Sequence, residues 1–257
     1  MSDDLNSLSE SILATQLHPY STENDELIGT SRPMRALFAA LPRIAESTSP
    51  LLICGERGTG KDRIARAVHA FSDRAGGPFI SVDCAAVSEK QVRMALSAGL
   101  ESAQGGTVLL DNIGKLSVDL QARLLRDLRS EPGDTPRAAA GRYDVRIIST
   151  TRIDLETAVE AGQFCEALFY QLNVLSIEAP PLRERGRDVQ LLADFVLQRF
   201  TTPGSRRRVV GFTAEARLAM QQWSWPGNVR ELVNRIKKAI VMCEKGPLFS
   251  SDLDLDS

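Results

Sequence analysis

The chain has 257 residues, 43% hydrophobic and 25% charged, which is ordinary globular composition with material for one large domain or two moderate ones. Thirty-one Lys and Arg face 33 Asp and Glu, a net charge of -2, so the basic footprint of a nucleic-acid binder is absent and direct DNA binding is argued against. Two His and four scattered Cys (Cys54, Cys84, Cys165, Cys243) argue against a Cys/His metal site or a disulfide framework and suit a reducing, cytoplasmic setting. No apolar run reaches membrane-spanning length, and the acidic Met1–Asp4 start lacks a signal-type core.

Residues 1–25 are polar and read as a flexible arm. Leu27-Ile28-Gly29-Thr30-Ser31 leads into a helix carrying Met34, Leu37, Phe38 and Leu41. Leu51–Cys54 is a short apolar strand. It stops at Gly55, and the stretch Gly55-Glu56-Arg57-Gly58-Thr59-Gly60-Lys61-Asp62 follows. Beyond it, Ile64, Ala65, Ala67 and Val68 recur at helical spacing. Strand, glycine loop and helix together form the phosphate-binding pattern Gly-x-x-x-x-Gly-Lys. The glycines let backbone N–H groups turn around an anion, the helix start adds its positive end, and Lys61 reaches the outer phosphates. Asp62 stands where a Ser or Thr usually helps hold magnesium. The rival reading is a glycine-rich turn that binds nothing.

Pro78–Cys84 reads as a second short buried strand, and Ser88-x-x-Gln91 as a capping box opening a helix. Val108–Leu110 is a third strand ending in Asp111-Asn112. A helix then places Leu120, Leu124 and Leu128 on one core-facing stripe. Ser130–Gly141 reads as a mobile loop, Val145–Thr151 as a fourth strand and Val174–Ile177 as a fifth, with helical pattern from Asp154 and over Phe164–Leu172. Alternating strands and helices predict an α/β domain over residues 26–179 with a parallel sheet covered on both faces, its ligand at the carboxyl ends of the strands. Pro180-Pro181 marks a break. Residues 180–257 then read as a small all-helical domain: Val189–Phe200, Thr213–Trp223 and Val229–Cys243.

Seven stretches together resemble the AAA+ domain of bacterial enhancer-binding proteins, the activators of sigma-54 RNA polymerase. They are Leu27–Ser31, Gly55–Lys61, Phe79–Ala86, Gly105–Gly114, Leu172–Val174, Pro180–Arg185 and Trp225–Leu232, in the family's order. The resemblance implies a P-loop NTPase-like α/β domain followed by a helical lid, assembling as a homo- or hetero-oligomeric ring. It implies ATP with Mg2+ as cofactors, held by Ile28, Gly55, Glu56, Arg57, Gly58, Thr59, Gly60, Lys61, Asp62, Asp111, Asn112 and the sensor II arginine Arg230. Asp111, at the Walker B position, is the expected magnesium ligand. Arg230 also reads as a surface arginine at a helix start.

The departures from the family pattern concern catalysis. Where the family has a water-activating Glu, this chain has Asn112, and an amide cannot take a proton at neutral pH. Thr151-Arg152 replaces Thr-Asn at sensor I. Cys165 and Gln171 occupy the two arginine-finger positions, and a finger is worth on the order of 10³–10⁵ in rate. The polymerase-contacting Gly-Ala-Phe-Thr-Gly-Ala hairpin has no counterpart between Cys84 and Gly105, and the expectation is a lid domain without the family's C-terminal helix-turn-helix. The expectation is therefore a cytoplasmic, ATP-binding transcriptional regulator, weak or inactive in hydrolysis. Its partners would be the transcription machinery or an intact activator of the same family. A slow ATPase completed by partner subunits and a sensor of another nucleotide, such as a cyclic dinucleotide, remain the alternatives.

Three further features have two readings each. Arg206-Arg207-Arg208 either touches DNA phosphate or forms a solvated loop, the reading that turn-like Thr201–Ser205 favours. Arg183, Arg185 and Arg187 face either a ligand or neighbouring subunit, or form hinge salt bridges. Cys165 is either redox-sensitive or an inert half-buried thiol.

Overall fold

A computed structural model describes residues 27–86, 88–129, 143–201 and 208–255. The expected arm at 1–25, the loop at 130–141 and Arg206-Arg207 lie outside the described residues. By packing, the chain divides into two compact units. The sheet unit comprises Ala39–Gly55 and Lys61–Ala179. The helical unit comprises the described residues up to Phe38, Glu56–Gly60, and the chain from Pro180 onward.

The sheet unit holds five strands: β1 (Leu51–Cys54), β2 (Phe79–Asp83), β3 (Thr107–Asp111), β4 (Arg146–Thr151) and β5 (Leu175–Glu178). They form one parallel sheet in the order β2-β3-β4-β1-β5. The central strands β1, β3 and β4 are buried almost throughout, as continuous apolar runs require when both faces are covered. β2 is different. It was expected to be buried, but it lies at the sheet edge, and within it only Val82 is fully enclosed. Helix α1 (Arg32–Glu46) begins in the helical unit and ends in the sheet unit, burying Met34, Leu37, Phe38 and Leu41. Helices α2 (Lys61–Ala70), α3 (Glu89–Ser102), α4 (Val118–Arg129), α5 (Leu155–Glu160) and α6 (Glu166–Leu172) cover the sheet.

Two local predictions hold in their main part. The Ser88 hydroxyl accepts from the Gln91 backbone N–H at 3.2 Å and caps α3. In the α4 stripe Leu120 and Leu124 are core, Leu128 packs half-buried against it, and Gln121 shares that face. Its amide donates to the carbonyls of Leu116 and Gln163, and its oxygen accepts from the Cys165 N–H at 2.7 Å. A buried Arg146 at the start of β4 donates to the carbonyls of Ile44 and Ala45, closing the end of α1.

The helical unit contains α7 (Asp188–Phe200), α8 (Ala214–Gln222) and α9 (Asn228–Met242) around Trp225, whose indole N–H donates to Met220 O at 2.8 Å. It is not all-helical. β6 (Arg208–Phe212) and β7 (Lys245–Leu248) form a two-stranded parallel sheet. Val209-Val210 carries β preference, but a four- to five-residue pair has no alternating apolar pattern to announce it, and Pro247 and two glycines mask it further. Arg208, expected in a loop, opens β6.

Cys84, just past β2, is enclosed, and burial pushes its thiol pKa from 9.0 up to about 12. The folded state keeps a proton that the unfolded chain loses above pH 9, so this group's contribution to stability falls as pH rises from 9 toward 12. At pH 8 the native protein should leave Cys84 unmodified by a thiol reagent, with full labelling only in urea. Labelling of Cys84 in the native protein, read by peptide mass, would contradict this burial.

Candidate functional site

The carboxyl ends of the sheet strands assemble the first part of the site. Asp111 ends β3 and lies beside Thr150 of β4, while Cys54 of β1 pairs with Thr151. Gly55 then turns away, its N–H donating to Thr151 O at 3.2 Å. The Lys61 ammonium at the start of α2 is buried and donates to Gly55 O at 2.8 Å, so the two ends of the loop meet within the sheet unit. Asp62 follows, exposed, in the first turn of α2.

Asp111 has both oxygens engaged. Oδ1 accepts from the Thr150 hydroxyl, and Oδ2 accepts from the Asn112 amide at 2.7 Å. Thr150 Oγ1 in turn accepts from the Asn112 N–H at 3.0 Å. Asn112 sits in the left-handed region at φ 59°, a conformation that Asn tolerates better than most side chains. An ionised glutamate there could not donate to Asp111. Thr150 was missed by sequence reasoning, which looked to Thr151-Arg152. Thr151 instead bonds locally to Ile153, and Arg152 is exposed.

The two finger positions hold no guanidinium. Cys165 is half-buried against the sheet core, and Gln171 lines a cavity of about 150 Å³ with Leu128, Tyr143 and Ile147.

The middle of the loop packs in the helical unit. Gly58 lies at φ 81°, and an added Cβ would meet Gly227 O at 2.2 Å, so only glycine fits. Glu56 accepts two hydrogen bonds from Arg183, at 2.8 and 2.6 Å. Asn228 donates to Glu56 Oε2 and to Arg57 O, and accepts from the Leu182 N–H at 2.7 Å. The Arg230 N–H donates to Gly58 O, its side chain exposed. Arg185 is buried. It donates to Thr59 O and Pro180 O, and burial pushes its pKa down to about 10. The hinge salt-bridge reading thus describes Arg183, while Arg185 bonds to carbonyls and Arg187 is exposed.

Ile28 is buried in the core of the helical unit beside Leu182 and Val189. The segment after it wraps a fully buried carboxylate. Asp188 accepts from Thr30 N at 2.7 Å, Ser31 N at 3.0 Å and Ser31 Oγ at 2.6 Å, and its charge offsets the desolvation of Arg185. Among the described residues no cluster of three His, Cys, Asp or Glu could hold a metal, and no helix is long and apolar enough to cross a membrane.

A family model described as the Sigma-54 interaction domain matches residues 28–182, and one described as the AAA+ ATPase lid domain matches 183–256. The chain belongs to the Sigma-54 interaction domain family. It is 42% identical over 243 residues to the regulatory protein AtoC of Escherichia coli K12, covering 88% of this chain and 52% of AtoC. It is 39% identical over 234 residues to the Nif-specific regulatory protein of Herbaspirillum seropedicae, covering 85% of this chain and 43% of that protein. Among solved structures, NtrX from Brucella abortus in complex with ADP superposes with a TM-score of 0.74 at 30% identity, covering 93% of this chain and 56% of NtrX. NtrX in complex with ATP gives 0.74 at 28%, covering 94% and 57%. The chain spans about half the length of these relatives.

Asp188→Asn removes the charge that offsets Arg185 and aims an amide N–H at a hydroxyl or amide donor. It should cost about 3–5 kcal/mol of stability, as breaking a buried charge arrangement does, read from the urea midpoint. An unchanged midpoint would show that Thr30 and Ser31 are held by other contacts.

Proposed function

We propose that this Sigma-54 interaction domain chain is the nucleotide-binding module of a transcriptional regulator. It takes ATP with magnesium at the Gly55–Lys61 loop, hydrolyses it near the uncatalysed rate, and acts by holding a protein partner, either transcription machinery or an intact activator of the same family. The observation that carries the reading is a preserved phosphate cradle beside an Asp111–Asn112 pair that has an amide where a base is needed. The crystallisation of NtrX with ADP and with ATP supports the nucleotide assignment.

In this reading the loop N–H groups and Lys61 bind the phosphates. Asp111 fits magnesium as the single carboxylate at the strand ends. Each of its oxygens keeps a lone pair after accepting one hydrogen bond, and Mg2+ is commonly held by one or two carboxylates plus phosphate and water. When bound, the ion would neutralise charge on the outer phosphates. Asn112 positions the Asp111 carboxylate and cannot carry a proton away from an attacking water.

Calorimetric titration of ATP with magnesium should show binding to the wild type and a loss of about a hundredfold or more in Lys61→Ala, which removes the ammonium that would make a charge-assisted bond to phosphate. No binding by either form would overturn the nucleotide reading. Turnover should stay at background in the wild type, and also in Asn112→Glu, because that change supplies a base but no arginine finger. Turnover of about 1 s⁻¹ or more in the wild type, an ordinary enzymatic rate, would overturn the catalytic part.

A further inference from the structure

Each residue from Glu56 to Thr59 is gripped by the helical unit. The Glu56 carboxylate is held by Arg183, Arg57 O by the Asn228 amide at 3.0 Å, Gly58 O by the Arg230 N–H at 3.3 Å, and Thr59 O by Arg185 at 2.8 Å. Three of these grips fall on consecutive carbonyls. A trans peptide is planar, with its C=O and the following N–H pointing opposite ways. Fixing the carbonyls of 57, 58 and 59 therefore turns the N–H groups of Gly58, Thr59 and Gly60 away from Asn228, Arg230 and Arg185. N–H groups whose peptide planes are already fixed spare an anion the entropy of ordering them. The donors are built for the task. Asn228 is fully buried and left-handed at φ 52°, and Arg185 is enclosed despite its charge, a desolvation that two carbonyl bonds and Asp188 offset.

We propose that Arg183, Arg185 and Asn228 are positioning residues for the phosphate loop. They set nucleotide affinity by fixing its peptide planes without touching the nucleotide. The proposal rests on the nucleotide-binding reading above and adds to it the residues that tune the site from outside.

Arg183→Gln is the cleanest variant, because the Arg183–Glu56 pair is half exposed and its loss should leave the urea midpoint unmoved. Arg185→Lys keeps the charge in the buried position but cannot bond both Thr59 O and Pro180 O in the same fork. Both are titrated with ATP and magnesium beside the wild type and Lys61→Ala. Each should bind about tenfold more weakly, a loss of pre-organisation rather than of a phosphate contact. Wild-type affinity in both variants, while Lys61→Ala fails to bind, would overturn the positioning role and leave the nucleotide reading intact. Failure of the wild type itself to bind would overturn both.

Discussion

A phosphate loop has to keep its N–H groups facing one way with no ladder partner to hold them. In this chain that constraint is met from the carbonyl side. Donors from the first turn of α9 and from the segment before α7 hold three successive carbonyls, and a bidentate arginine holds the glutamate that opens the turn. Much of the helical unit follows from that demand. Asn228 must be buried and left-handed to reach both Arg57 and Leu182, and Gly58 must lack a side chain to let Gly227 approach.

The second organising contact is the Asp111–Asn112–Thr150 triangle. It satisfies every member locally, so the carboxylate is oriented before any ligand arrives. A glutamate in place of Asn112 would be a second negative charge beside Asp111, and the strand end would be held together by repulsion-tolerant packing rather than by a donated bond. The amide at this position thus puts a donated hydrogen bond where a second carboxylate would put repulsion.

The sheet was legible in the sequence because its central strands are unbroken apolar runs flanked by glycine or by helical spacing, and the phosphate loop because its glycines and Lys61 have fixed offsets. The edge position of β2 was not, since strand order is a property of pairing and Phe79–Asp83 reads as apolar wherever it sits. The β6–β7 pair was missed for want of alternation. Of the candidate site, Gly55–Lys61 and Asp111 are the parts that fixed offsets and a strand end mark in the sequence. Thr150 could not, because a threonine inside an apolar strand carries no mark of its partner. Asn228 stood in plain view within Trp225–Leu232, yet its contacts to Arg57 and Leu182 cross long stretches of chain that spacing alone does not bridge.

The chain threads back and forth between its two units: the helical unit draws its parts from before Phe38, from Glu56–Gly60 and from beyond Pro180. Thr30 meets Asp188 across 158 positions of sequence. On a ribosome, the early segment must wait for the last third of the protein before its hydrogen bonds can form. Such a long closure is slow to find. No contiguous cut yields the helical unit intact: a fragment starting at Pro180 would emerge without Ile28 in its core and without the Glu56–Thr59 groups that Arg183, Arg185 and Asn228 hold.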